Sequence, residues 1–178
     1  MRKLNHISRH AARLHLAVTA LMVILPLIVA VYFMRGLDDP GSLAAAFPAL
    51  PARTTPDPQA SFFAFALGAL SLVPMLYSLA QIRALFALYS AGQILTEPCA
   101  ERIGRAGAGL ASLALLQTVL VPVQGLILTA DVPSGRPSLI IAISSETMWL
   151  LLCGLLLAVI GRIMAEAARL AEENAGFV

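Results

Sequence analysis

His6 and His10 stand four residues apart. On a helix that spacing puts both imidazoles on one face, where they could hold a metal ion. The same turn carries Arg9, and no carboxylate is near to complete a ligand set. A basic segment at a membrane surface accounts for this pair better. Cys99 and Cys153 have no partner at metal-ligand spacing and read as reduced, structural thiols. Glu146 borders a long apolar run, where it either caps a helix or faces a cation or ligand. Ser144, Ser145 and Glu146 have no histidine on their side of a membrane to form a triad. There is no Walker loop, no GxSxG, no HExxH and no pair of carboxylates on an apolar helix. No catalytic, cofactor-binding or metal-ligating residue is expected, and the chain does not read as an enzyme.

The elements that would carry these residues are apolar. The chain of 178 residues is 59% hydrophobic and 12% charged. A soluble domain carries about 25% charged residues, so half the usual charged surface is missing. The runs 14–34, 61–82, 106–130 and 147–161 hold no Asp, Glu, Lys or Arg. A bilayer core of about 30 Å needs about 20 apolar helical residues, so the count is four spans. The net charge of +2 gives no footprint for direct nucleic-acid binding. The fold class expected is an all-α membrane protein, a four-transmembrane-helix bundle forming one domain. Its spans lie at about 14–34, 61–82, 106–126 and 145–165.

Arg2, Lys3, Arg9 and Arg13 precede the first span without an acidic residue, which marks a cytoplasmic flank. A cleaved signal peptide is the rival, but its apolar core would be shorter. Tyr32 and Phe33 are placed as an interfacial anchor. Asp38-Asp39-Pro40-Gly41 then turns the chain into a proline-dense outer loop, about 35–60. With both termini inside, nine of the twelve Lys and Arg residues are cytoplasmic, and Arg35, Arg53 and Arg136 are outside. The expected location is the bacterial inner membrane. Pro26, Pro74 and Pro122 lie near mid-span, where each frees a backbone carbonyl and can kink its helix.

The cytoplasmic loop, about 83–105, is the most patterned interior stretch. Ile82, Leu85, Phe86 and Tyr89 fall on one helical face, so the second span is expected to continue into the cytoplasm. Gly92 suits a left-handed C-cap. Thr96-Glu97-Pro98 restarts a helix, with Thr96 as N-cap and Glu97 in the first turn. Arg102 and Arg105 mark the return to the membrane. After Gln124 the pattern favours a short extracytoplasmic β-hairpin within about 127–144; the alternative extends the helix to Ala130. The last span starts with Ser145 as N-cap and Glu146 behind it. Glu146 is sixteen residues from Arg162, about 24 Å along a helix. The helix continues into a cytoplasmic tail, 166–178, with Arg162–Glu166 and Arg169–Glu173 at ion-pair spacing.

Two stretches resemble a known family. ALFALYSAGQILTEPCAERIGRAGAGL resembles the signature loop of the domain of unknown function 2975 family: an aromatic-bearing helix, a Gly-containing turn, a Thr-Glu helix start and a basic, Gly-containing span start. RIMAEAARLAEENAGFV resembles that family's acidic tail through Glu166, Arg169, Leu170, Glu172 and Glu173. Ala168 departs from a frequent Gly, and the proline-rich outer loop has no counterpart among the family's features. The resemblance implies a small bacterial multi-pass inner-membrane protein without an assigned activity, often encoded beside a small helix-turn-helix regulator.

Both stretches are expected on the cytoplasmic side. The candidate interaction surface is therefore Leu85, Phe86, Tyr89, Thr96, Glu97, Arg102, Glu166, Arg169, Leu170 and Glu173, with Glu146 as a candidate polar membrane residue. The expected partners are the lipid bilayer, a cytoplasmic protein and a second copy of the chain. A small transporter or channel-like subunit is the alternative function, motivated by the mid-span prolines.

Overall fold

The computed structural model describes residues 2–38, 58–94, 96–129 and 144–175, and all regular structure among them is helical. In chain order the helices are α1 (Arg2–Asp38), α2 (Pro58–Ala69), α3 (Leu72–Ser90), α4 (Glu97–Thr129) and α5 (Ser145–Ala175). Four helical segments are long and apolar enough to cross a membrane: His10–Arg35, Pro58–Ser90, Glu97–Thr129 and Ser145–Glu173. The four-span count thus stands. Segments of 33, 33 and 29 residues exceed the roughly 20 that a bilayer core needs.

The second span is two helices. The chain turns at Leu70 and Ser71, between α2 and α3. Pro74 explains the position: it has no N–H for the Leu70 carbonyl four residues earlier, and its ring crowds that carbonyl. The carbonyl is taken instead by Val73 N at 3.1 Å, and tight bonds of the same kind join Leu70 N to Leu67 O and Ser71 N to Gly68 O. Pro26 and Pro122 remain inside α1 and α4 without such an interruption.

The helix of the third span continues to Thr129, as in the longer of the two sequence readings. A strand beginning at Leu126 is therefore excluded, because Leu126–Thr129 complete a helical turn. Residues 130–143 of the expected hairpin and 39–57 of the proline-rich loop lie outside the described residues; the ends of that loop as expected, 35–38 and 58–60, are helical instead. The last helix starts one residue earlier than expected. Ser144, not Ser145, is the cap: its Oγ accepts from Thr147 N at 3.2 Å, and its carbonyl accepts from Met148 N.

In space α4 is central. It packs on α5, α3 and α2, and α1 packs on α3 and more lightly on α2. The arrangement is a row with α1 and α5 on its flanks rather than a closed bundle. Buried positions are mostly small: Ala60, Ala64, Ser78, Cys99, Ala106 and Ala111 are typical, with Leu113, Leu120 and Leu128 as the larger members. Leu16, Val23, Leu27, Trp149, Leu155 and Ile163 are exposed. That inversion suits lipid, in which apolar side chains gain nothing by hiding and helices associate through close packing.

The tightest packing joins α4 and α5. A Cβ on Gly107 would lie 2.5 Å from Ala158 N and 2.6 Å from Gly154 O. One on Gly154 would lie 2.6 Å from Ala111 N, and one on Gly161 would collide with Gly104 N. Small residues at these spacings let two backbones touch.

Candidate functional site

The residues of the expected cytoplasmic surface gather at the α3–α4 turn and along the last turns of α5. Gly92 has φ +79°, a conformation only glycine adopts without strain. Gly92 N donates to Tyr89 O and Gln93 N to Leu88 O, both at 3.1 Å. These two bonds form the Schellman stop expected of that glycine. α4 then restarts from Thr96, whose carbonyl accepts from Cys99 N and Ala100 N. Its hydroxyl does not cap the backbone. Pro98 has no N–H to offer, Cys99 N is already used, and Thr96 Oγ1 donates instead to Cys99 Sγ at 3.3 Å. The thiol donates in turn to Gln93 O, also at 3.3 Å. Cys99 is fully buried, so it is the hub of the turn. The other free cysteine, Cys153, is exposed on α5.

Arg102 is occupied within the protein. Its Nη1 donates to Oε1 of the buried Gln81 at 2.8 Å, joining α4 to α3 where both reach the end of their charge-free runs. A hydrogen bond from a guanidinium is about twice as strong as one between neutral groups. Arg83 Nε reaches His15 Nε2 at 3.4 Å and ties α3 to α1, giving His15 a partner. Leu85, Phe86 and Tyr89 are half-buried, with the rings of Phe86 and Tyr89 6.5 Å apart edge to face. Glu97 is half-buried in the first turn of α4.

The tail of α5 is the open part. Arg169 bonds Glu166 at 2.8 Å and lies 3.8 Å from Glu173. The pairing runs from Arg169 in both directions; among the described residues Arg162 has no ion pair, so the Arg162–Glu166 pair is not formed. Leu170 is 49% exposed between these charges. A small cavity of about 260 Å³ separates Thr96 and Ala100 from Met164, Ala167, Ala168 and Ala171. The tail thus borders the α3–α4 turn through α4, which stands between α3 and α5. The candidate surface is accordingly in two parts, one half-buried on α3 and one exposed on α5.

Glu146 is exposed in the first turn of α5 and has no ion pair among the described residues, which fits a residue at a positive helix end. No group of three or more His, Cys, Asp or Glu side chains that could hold a metal occurs among the described residues.

Counting charges missed the polar residues inside the spans. At the Pro74 break a cavity of about 270 Å³ is lined by Phe65, Gly68, Ser71, Met75, Gln117 and Gln124, among others. Gln124 Nε2 donates to Ala64 O at 2.8 Å. A Cβ on Gly68 would come within 2.6 Å of that nitrogen, so the glycine makes room for the amide. Gln117 and Gln124 are seven apart, two helical turns on one face, which was the available signal. The cavity has hydrogen-bonding groups but no ionisable lining residue.

The family model described as a protein of unknown function (DUF2975) matches residues 44–176. The chain belongs to the DUF2975 family. The match takes in α2 to α5, including the turn around Cys99 and the Glu166–Glu173 tail, and begins after α1. The DUF2975 region is therefore the part that contains the α4–α5 contact, the Gln81–Arg102 bridge and the helix break. No curated protein and no solved structure matches the chain.

Proposed function

We propose that this DUF2975 protein is a non-enzymatic multi-pass protein of the bacterial inner membrane whose cytoplasmic face binds a protein partner. Both termini and the α3–α4 turn are cytoplasmic in this reading, with α3 and α5 extending past the bilayer. The exposed Leu170 between the Arg169–Glu166 and Arg169–Glu173 pairs carries it: an apolar side chain among charges on a helix whose main packing partner is α4. Such a side chain rimmed by charges is a common form of docking surface. The partner suggested by the family resemblance is a small helix-turn-helix regulator, with DNA contacts made by that partner. Co-purification of such a regulator in mild detergent tests this. Retention that is lost in Leu170→Ala combined with Glu173→Ala, at unchanged melting temperature, is expected. Failure of the wild type to retain it, or retention by both proteins alike, contradicts the reading.

The cavity at the Pro74 break favours a second reading, a small transporter or channel-like subunit. Its uncharged lining suits a small neutral solute rather than an ion. Glycerol flux into proteoliposomes that Pro74→Ala reduces and Glu146→Gln leaves intact supports it; flux no greater than in empty vesicles removes it.

A further inference from the structure

The same small residues that bring α4 and α5 into contact leave a trough beside the contact. It has a volume of about 500 Å³ and lies between the stretch from Ala100 to Ala108 on α4 and the stretch from Leu155 to Ala165 on α5. Gly104, Ala108, Ala158 and Gly161 are also in its lining. Two arginines therefore stand about midway along the groove, with Ala100, Glu101 and Ala165 on one side of them and the apolar Ala108, Leu155, Ala158 and Val159 on the other.

Their level in the bilayer follows from the sequence. The charge-free run of α4 begins immediately after Arg105, and that of α5 ends immediately before Arg162. The two helices are antiparallel there, and the close approach of Gly161 to Gly104 sets both ends at one height. Arg105 and Arg162 thus mark one membrane–water boundary, and the part of the trough lined by Ala108, Leu155, Ala158 and Val159 lies on its hydrocarbon side. Arg105 is paired with Glu101 at 3.0 Å, and both side chains are about half exposed. Arg162 has no ion pair among the described residues. The lining charges sum to a positive value, with one carboxylate against two guanidiniums.

We propose that this trough binds one anionic phospholipid, its phosphate at Arg162 and Arg105 and one acyl chain on the Ala108–Ala158 floor. The charge complements a phosphate, and a guanidinium fork matches its oxygens. The apolar floor requires a chain attached to that phosphate. Ala108 and Ala158 keep the floor low, and Leu155 and Val159 beside them give an acyl chain apolar contact.

Native mass spectrometry of the full chain, purified, delipidated and titrated in detergent with phosphatidylglycerol or phosphatidylcholine, tests the assignment. A single phosphatidylglycerol should bind about fivefold more tightly than phosphatidylcholine, the preference about one arginine near an anionic surface gives. Arg162→Gln should abolish the preference, and Arg162→Lys should keep most of it. Ala108→Leu, which fills the floor and leaves both arginines in place, should weaken both lipids. Equal binding of the two lipids to the wild type overturns the proposal, as does an Ala108→Leu protein that binds like the wild type. A wild-type dimer that Ala108→Leu dissociates would assign the trough to a second copy and also overturn it.

Discussion

Gly161 meets the backbone of Gly104, yet the contact is not symmetric. A Cβ on Gly161 would collide with Gly104 N and Cα and lie 2.9 Å from Ala100 O. A Cβ on Gly104 would meet nothing nearer than 3.8 Å. The two glycines face one another, but only one has its missing side chain directed into the partner helix.

Alanine substitution should separate them. Gly161→Ala forces the helices apart and should cost about 1–3 kcal/mol, the usual range for overpacking. Gly104→Ala should be neutral or stabilising by up to about 1 kcal/mol, because alanine favours the helix. Unfolding of the purified protein in mixed micelles measures both. Equal losses would place the α4–α5 contact elsewhere.

The Gln81–Arg102 bridge should behave as a unit. Gln81→Leu and Arg102→Gln should each destabilise the protein, and the double variant should lose less than their sum. Hydrogen bonds between membrane helices average about 0.6 kcal/mol and reach about 1.7, and a charged donor belongs toward the upper end. A double-mutant cycle in the same unfolding assay reads the coupling directly.

Gly68→Ala should displace the Gln124 amide and cost about as much as Gln124→Ala. The double variant, in which no amide competes for the space, should recover part of the loss. Additive losses in the melting temperature would show that the glycine does not make room for that amide.

Cys99 should resist thiol reagents. With Cys153 replaced by Ser, a maleimide should leave the folded protein unlabelled and react on unfolding, since the Cys99 sulfur is fully buried and bonded within the turn. Rapid labelling of folded protein would contradict the packing of the turn.

How much of this was legible before the fold depended on the kind of signal. The spans were plain from their freedom from charge, and the Gly92 stop and Thr96 restart from turn chemistry. The family was legible in the stretch from Ala84 to Leu110 and in the acidic tail, and the matched region includes both. Proline marked three mid-span positions alike, but only Pro74 interrupts its helix. Composition could not tell the three apart, because a broken turn needs alternative bonds such as Val73 N to Leu70 O. The hairpin expectation failed at Leu126–Thr129 because β-branched and apolar residues suit a buried strand and a membrane helix equally. For the candidate surface, the pattern could place Leu85, Phe86 and Tyr89 on one face. It could not show that α4 would stand between them and Leu170. Arg102 looked like a boundary charge, and its bond to Gln81 depends on tertiary register that one sequence does not carry.

In the proposed topology the α3–α4 turn and the tail of α5 face the cytoplasm together, with the start of α5 on the other side. Cysteines placed singly at Gln93, Glu173 and Glu146 in a background with Cys99 and Cys153 replaced by Ala test this, read with a membrane-impermeant maleimide on spheroplasts before and after lysis. Gln93→Cys and Glu173→Cys should label only after lysis, and Glu146→Cys should label before it. Labelling of the first two in intact spheroplasts, with Glu146→Cys protected until lysis, would contradict it.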